Sequence, residues 1–192
     1  MKAIQDYYPP EFAHCFGCGP ANARGLRLKS YIEGDETIAR CVPPAYYTGG
    51  FPGHVYGGMI ASLLDCHGAA SAAAFAYRDR GRTMGDGGPA IRFVTASLKV
   101  DFKRPTPLGG ELIVKGRLTA IDGRKATIAL SLQAGDELCA VGEMIAVEYR
   151  PKIDSVLQTK RPKRRVSCRL GRQVRTSEAL GHRQGFRGIR TV

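Results

Sequence analysis

No run of 18 residues in this chain is apolar without a polar or small interruption, so the sequence predicts no membrane-spanning helix. The opening stretch, MKAIQDYYPPEF, lacks the apolar block of a secretory leader. Cysteine is sparse and scattered, at positions 15, 18, 41, 66, 139 and 168. With no export signal beside them, these read as reduced thiols of a cytoplasmic protein, not as a disulfide framework. Acidic residues are scarce in one region only. Residues 151–192 hold 12 Lys or Arg against 2 Asp or Glu, whereas residues 1–150 hold 17 against 15. The net charge of +12 is therefore a property of the tail, not of the fold.

A length of 192 residues suits one domain with an extension: a folded domain over 1–150 and a basic, disordered tail over 151–192. The tail has no sustained periodicity, and its aromatic content stops at Phe186. Nucleic-acid binding through it is not expected.

The most informative stretch runs from Gly53 to Tyr77. From Gly57 it reads as one helix to Tyr77, roughly 30 Å long, with Met59, Ile60, Leu63, Leu64, Ala73 and Phe75 distributed around it. A helix apolar on all sides is a buried helix. It carries one carboxylate, Asp65, at a position where Leu or Ala would be the cheaper choice. Its entry, Tyr56-Gly57-Gly58, supplies no side-chain cap. The first amides are left without an internal partner, at the positive end of the helix dipole. Two glycines let another molecule come close to them, which makes a site for a carbonyl oxygen gaining negative charge.

The rest reads as strands. Gly25–Ile32 alternates Leu26 and Leu28 with Arg27 and Lys29, and Thr37–Val42 follows the Gly34-Asp35 turn. Residues 43–53 form a loop rich in Gly and Pro, and 78–89 a polar connection. Strands are then expected at Ala96–Phe102, Leu112–Ile121, Ala126–Ala134 and Leu138–Tyr149, with Asp122-Gly123 as a hairpin turn. The fold class is α+β: one long helix, then an antiparallel meander that curls around it.

These residues carry a resemblance. Gly57-Gly58 followed by Asp65, and Thr95-Ala96-Ser97-Leu98-Lys99-Val100-Asp101-Phe102-Lys103-Arg104-Pro105, resemble the hotdog-fold acyl-thioester hydrolases of the PaaI type over residues 10–150. Cys15-Phe16-Gly17-Cys18-Gly19 and Gly123-Arg124-Lys125 resemble them too. The resemblance implies a hotdog fold, a homodimer or tetramer, no cofactor, and hydrolysis of acyl-CoA or acyl-carrier thioesters. The family histidine before Gly-Gly falls on Tyr56, and His54 stands two residues earlier. A tyrosine donates a hydrogen bond but does no imidazole chemistry near pH 7.

The roles follow. Gly57 and Gly58 amides polarise the carbonyl, and Asp65 attacks it or activates water. Tyr56 and His54 border the substrate. Arg104, Arg124 and Lys125, with Lys103, are candidates for the phosphates of CoA. Asp65 lies seven residues beyond Gly58, about 10 Å along one axis, so it cannot serve its own helix start. The site should be shared by two subunits. The resemblance gives Thr95 the support of the attacking group, but strict pleating points it away from the Leu98, Val100 and Phe102 face. His67 reads as structural. Cys15-x-x-Cys18 beside His14 reads as a packed loop, since a metal site would need Cys66 or His54 from afar. Two other functions remain: acyl-CoA sensing without hydrolysis, with the tail on nucleic acid, and hydratase chemistry, which wants a His–carboxylate pair.

Overall fold

The structure is a computed structural model that describes residues 1–150, so the tail expected over 151–192 lies outside the described residues. Strands β1 (Ser30–Glu33) and β2 (Glu36–Cys41) precede helix α1 (Gly57–Asp79). Strands β3 (Phe93–Phe102), β4 (Leu112–Asp122), β5 (Lys125–Ala134) and β6 (Glu137–Glu148) follow it.

All six strands form one antiparallel sheet in the order β1-β2-β4-β5-β6-β3. The expected meander is thus rearranged. The segment containing α1 carries the chain from β2 to the far edge, where β3 pairs with β6, and the place beside β4 is taken by β2. β3 is left as an edge strand, with Val94 49% and Phe102 55% exposed.

Period-two alternation puts Val114, Ile128, Leu132, Met144 and Ala146 on the inner face, all fully buried, against Leu63, Leu64 and Phe75 of α1. Each of the larger side chains contributes about 2 kcal/mol by leaving water. The helix is apolar and long enough to cross a membrane by composition alone. Its most apolar window is instead 78% buried within the protein, as a core helix is. It ends where Gly81 takes φ +62° and its N–H closes on the Arg78 carbonyl.

The first strand is shorter than its pattern. Arg27 adopts φ +52°, and the Leu26 and Leu28 amides donate to the carbonyls of Phe16 and Gly17. The alternating Leu26 and Leu28 therefore fasten the cysteine loop, and β1 begins only at Ser30.

Candidate active site

The start of α1 is built as its sequence requires. Tyr56 is the N-cap with no side-chain cap bond, and its carbonyl accepts from both Met59 and Ile60. That leaves the Gly57 and Gly58 N–H groups without an acceptor among the described residues. The half-exposed Tyr56 ring lies over Gly58, where any added Cβ would overlap it. A side chain at position 58 would have to displace the exposed phenol.

Beside this helix tip opens a cavity of about 510 Å³, lined by Phe51, His54, Gly57, Phe102, Lys103 and Arg104 among others. The sequence-expected Gly57, His54, Lys103 and Arg104 are thus brought together. The His54 Nδ1–H donates to the Pro52 carbonyl at 3.2 Å, and Nε2 has no partner among the described residues. Among the described residues, the Arg104 side chain makes one long, exposed ion pair, with Glu137 at 3.8 Å. Thr106, absent from the sequence reading, belongs to the same wall, 2% exposed and with no hydrogen-bond partner for its hydroxyl among the described residues. No pattern in the sequence marks it.

Asp65 stands elsewhere. Its carboxylate accepts a 2.6 Å hydrogen bond from the Thr95 hydroxyl. The β3–β6 register explains how Thr95 reaches it. Thr95 faces Ala146 and Leu98 faces Met144, but Ser97 faces Ile145, so Ala96 is an extra, bulged residue. One inserted residue returns Thr95 to the face that carries Leu98, Val100 and Phe102. Strict alternation therefore fails at this one step. Asp65 is also more open than its apolar surroundings suggested. It is half-buried, in a stripe with Gly58, Ala61, Ser62 and Ala69 that runs along the helix beside the exposed β3 edge. The stripe is open because the sheet covers the opposite side of α1.

Arg124 and Lys125 do not line the cavity. They lie at the β4–β5 turn, where Arg124 donates to the Glu148 carbonyl at 2.7 Å beside the Arg80–Glu148 ion pair. That doubly bonded guanidinium holds the Glu148 carboxyl below its usual range. Of the apolar residues on the helix, Met59 and Leu63 border a second cavity of about 180 Å³ with Tyr46 and Tyr47, while Phe75 is core.

His67 is structural, as expected, and fully buried. Its Nε2–H donates to the Thr37 carbonyl at 3.1 Å, and its Nδ1 accepts from the Ser30 hydroxyl at 2.9 Å. Gln5 supports Ser30, and Ser71 bonds Thr37 at 2.6 Å. Burial pushes the imidazole down to about 4.

Cys66, the next residue after Asp65, meets the cysteine loop. Its sulfur is 3.6 Å from that of Cys15, and the sulfurs of Cys15, Cys18 and Cys66 all lie within 4.8 Å of one another.

Comparisons with known proteins complete the picture. The model of the thioesterase superfamily matches residues 52–141. A thioesterase superfamily protein of Shewanella loihica PV-4 is 39% identical, over 74% of this chain and all of that one, with a TM-score of 0.56. Acyl-coenzyme A thioesterase THEM4 of Rattus norvegicus is 31% identical over 107 residues, 56% of this chain and 40% of that protein. The chain thus spans less than half the length of the curated relatives it matches. The fold is shared with BH2602 of Bacillus halodurans, solved with CoA, at 18% identity and a TM-score of 0.50 over 64% of this chain and 74% of that one.

Proposed function

The chain belongs to the hotdog-fold thioesterase superfamily, and from that premise we propose that it hydrolyses acyl thioesters, with acyl-CoA as the substrate class. The observation that carries the proposal is the pairing of a half-open Asp65, braced by Thr95, with a glycine helix tip whose two amides are unused. The first can activate an attacking oxygen; the second can receive the charge that forms on the carbonyl.

The thioester carbonyl oxygen accepts hydrogen bonds from Gly57 and Gly58. Thr95 occupies Oδ1 of Asp65 and leaves Oδ2 for the reaction. As general base, Asp65 takes a proton from water while the water oxygen bonds to the carbonyl carbon. As nucleophile, Oδ2 makes that bond itself and water later opens the anhydride. Either way a tetrahedral oxyanion forms at the helix tip, where oriented amides stabilise it. It collapses by breaking the C–S bond. The thiolate leaves and takes up a proton, and the carboxylic acid is the second product.

Both groups sit on one helix about 10 Å apart, so each carbonyl is attacked by Asp65 of a second copy. The unpaired β3 edge and the open Gly58–Ala69 stripe beside it support a two-fold partner. Within the cavity, Phe51 and Phe102 offer apolar surface to the substrate, and Lys103 and Arg104 offer charge to its phosphates. Arg124 and Lys125 could reach a phosphate only from the partner subunit, since they lie outside the cavity of their own chain. THEM4 bears the name acyl-coenzyme A thioesterase and BH2602 was solved with CoA, which supports this substrate class.

Release of free thiol from a panel of acyl-CoAs tests the proposal. The parent should turn over at least one member, and Asp65→Asn should lose about 100-fold or more in kcat. Full turnover by Asp65→Asn would remove Asp65 from the mechanism.

A further inference from the structure

Three thiols converge where the N-terminal loop meets the helix, and the hydrolytic chemistry uses none of them. Cys15 and Cys18 come from the turn Cys15-Phe16-Gly17-Cys18-Gly19, closed by the Gly19 N–H donating to the Cys15 carbonyl at 2.8 Å. Cys66 comes from α1. The loop is shaped to admit it. A Cβ on Gly17 would overlap the Cys66 sulfur, so only glycine fits between them.

Around a tetrahedral zinc ion with Zn–S near 2.3 Å, neighbouring sulfurs stand about 3.8 Å apart. The Cys15–Cys66 separation is 3.6 Å, and no pair in the trio exceeds 4.8 Å. A two-residue spacer between Cys15 and Cys18 is the usual span for two ligands of one zinc ion. Arg92 places its guanidinium over the Tyr8 ring at 3.4 Å, and its Nε is buried with no acceptor among the described residues.

We propose that Cys15, Cys18 and Cys66 bind one zinc-class divalent cation, with the fourth coordination position open to solvent on the side of the exposed Cys15. Binding breaks three S–H bonds, makes three metal–sulfur bonds and sends three protons to solvent. Nothing is oxidised or reduced, and the centre carries one net negative charge. The cation ties the loop of Cys15–Cys18 to the helix one residue past Asp65. The proposal does not rest on the hydrolytic activity. It also reverses the expectation that this loop is merely packed, because the fold supplies from afar the third ligand that the spacing lacked.

The test is cobalt titration of the full chain, reduced and stripped of metal, read by thiolate-to-cobalt charge-transfer absorption, with zinc displacing it. One equivalent per chain is expected. Cys15→Ser and Cys66→Ser should each weaken binding by more than about tenfold. Cys41→Ser and Cys139→Ser, free cysteines outside the trio, should leave it unchanged. Cys15 is exposed, so Cys15→Ser keeps the test valid if Cys66→Ser does not fold. Absent charge-transfer bands in the folded, reduced parent, undiminished bands in Cys15→Ser, or a Cys15–Cys66 disulfide that resists reduction would each overturn the proposal.

Discussion

Asp65 and His67 are two residues apart on one helix, and the fold treats them in opposite ways. His67 points into the sheet, where both ring nitrogens are satisfied and every neighbour in the chain Gln5–Ser30–His67–Thr37–Ser71 is bonded in turn. Asp65 points along the open stripe beside β3, held among the described residues by one side-chain bond, from Thr95. Saturated groups cost a great deal to disturb but have no bonding capacity left for a substrate. An unsaturated group contributes less to the fold and keeps an oxygen for chemistry. On this helix, hydrogen-bond completeness separates structure from function better than polarity does.

Substitutions at the two positions should therefore move different observables. Asp65→Asn is expected to lose activity by about 100-fold or more while its unfolding midpoint stays near the parent's. A large fall in midpoint would mean that Asp65 is structural like His67.

Charge on the exposed strand edge comes next. Val94→Glu combined with Ala96→Glu should give a folded monomer, by light scattering and circular dichroism, with thioesterase activity reduced toward that of Asp65→Asn. An active monomer would place the whole site in one chain.

His67 predicts a pH effect on stability alone. Its folded value is about 4, below the ordinary value near 6.5, because burial disfavours the charged ring. Between those values the unfolded chain binds the proton and the folded chain does not. Stability is thus full above about pH 6.5 and falls by about 3 kcal/mol as the pH drops to 4. Urea unfolding at a series of pH values should show this slope, and His67→Gln should flatten it. An equal slope in both proteins would contradict the assignment. The smallest effect is that of Thr95→Val, which should lower kcat by about tenfold and leave KM little changed. An unchanged kcat would mean that the Thr95 bond only decorates the carboxylate.

The two residues also differ in how far the sequence revealed them. Asp65 and the Gly57-Gly58 tip stand out because a lone acid and an uncapped start break local rules on an otherwise apolar helix. The strands from β3 onward were legible from alternation, but their order was not, since β3 pairs with β6 through the fold and not through adjacency. The facing of Thr95 was hidden by a bulge at Ala96 that no residue type announces. Leu26 and Leu28 imitated a strand while bonding the cysteine loop. Cys66 joined Cys15 and Cys18 across about 50 residues of chain, a distance that spacing rules do not cover. Thr37, Ser30 and Gln5 gave no sign that they would enclose His67.

The shared site is tested most directly by subunit complementation. Asp65→Asn and Gly58→Val, the second blocking the helix tip, are each prepared as inactive dimers, mixed, unfolded together and refolded, and assayed for thiol release. If each site draws its carboxylate from one protomer and its amides from the other, the mixture should recover about a quarter of the parent activity, because half the dimers carry one intact site of two. If carboxylate and amides act within one chain, every site in the mixture stays broken and the mixture remains inactive.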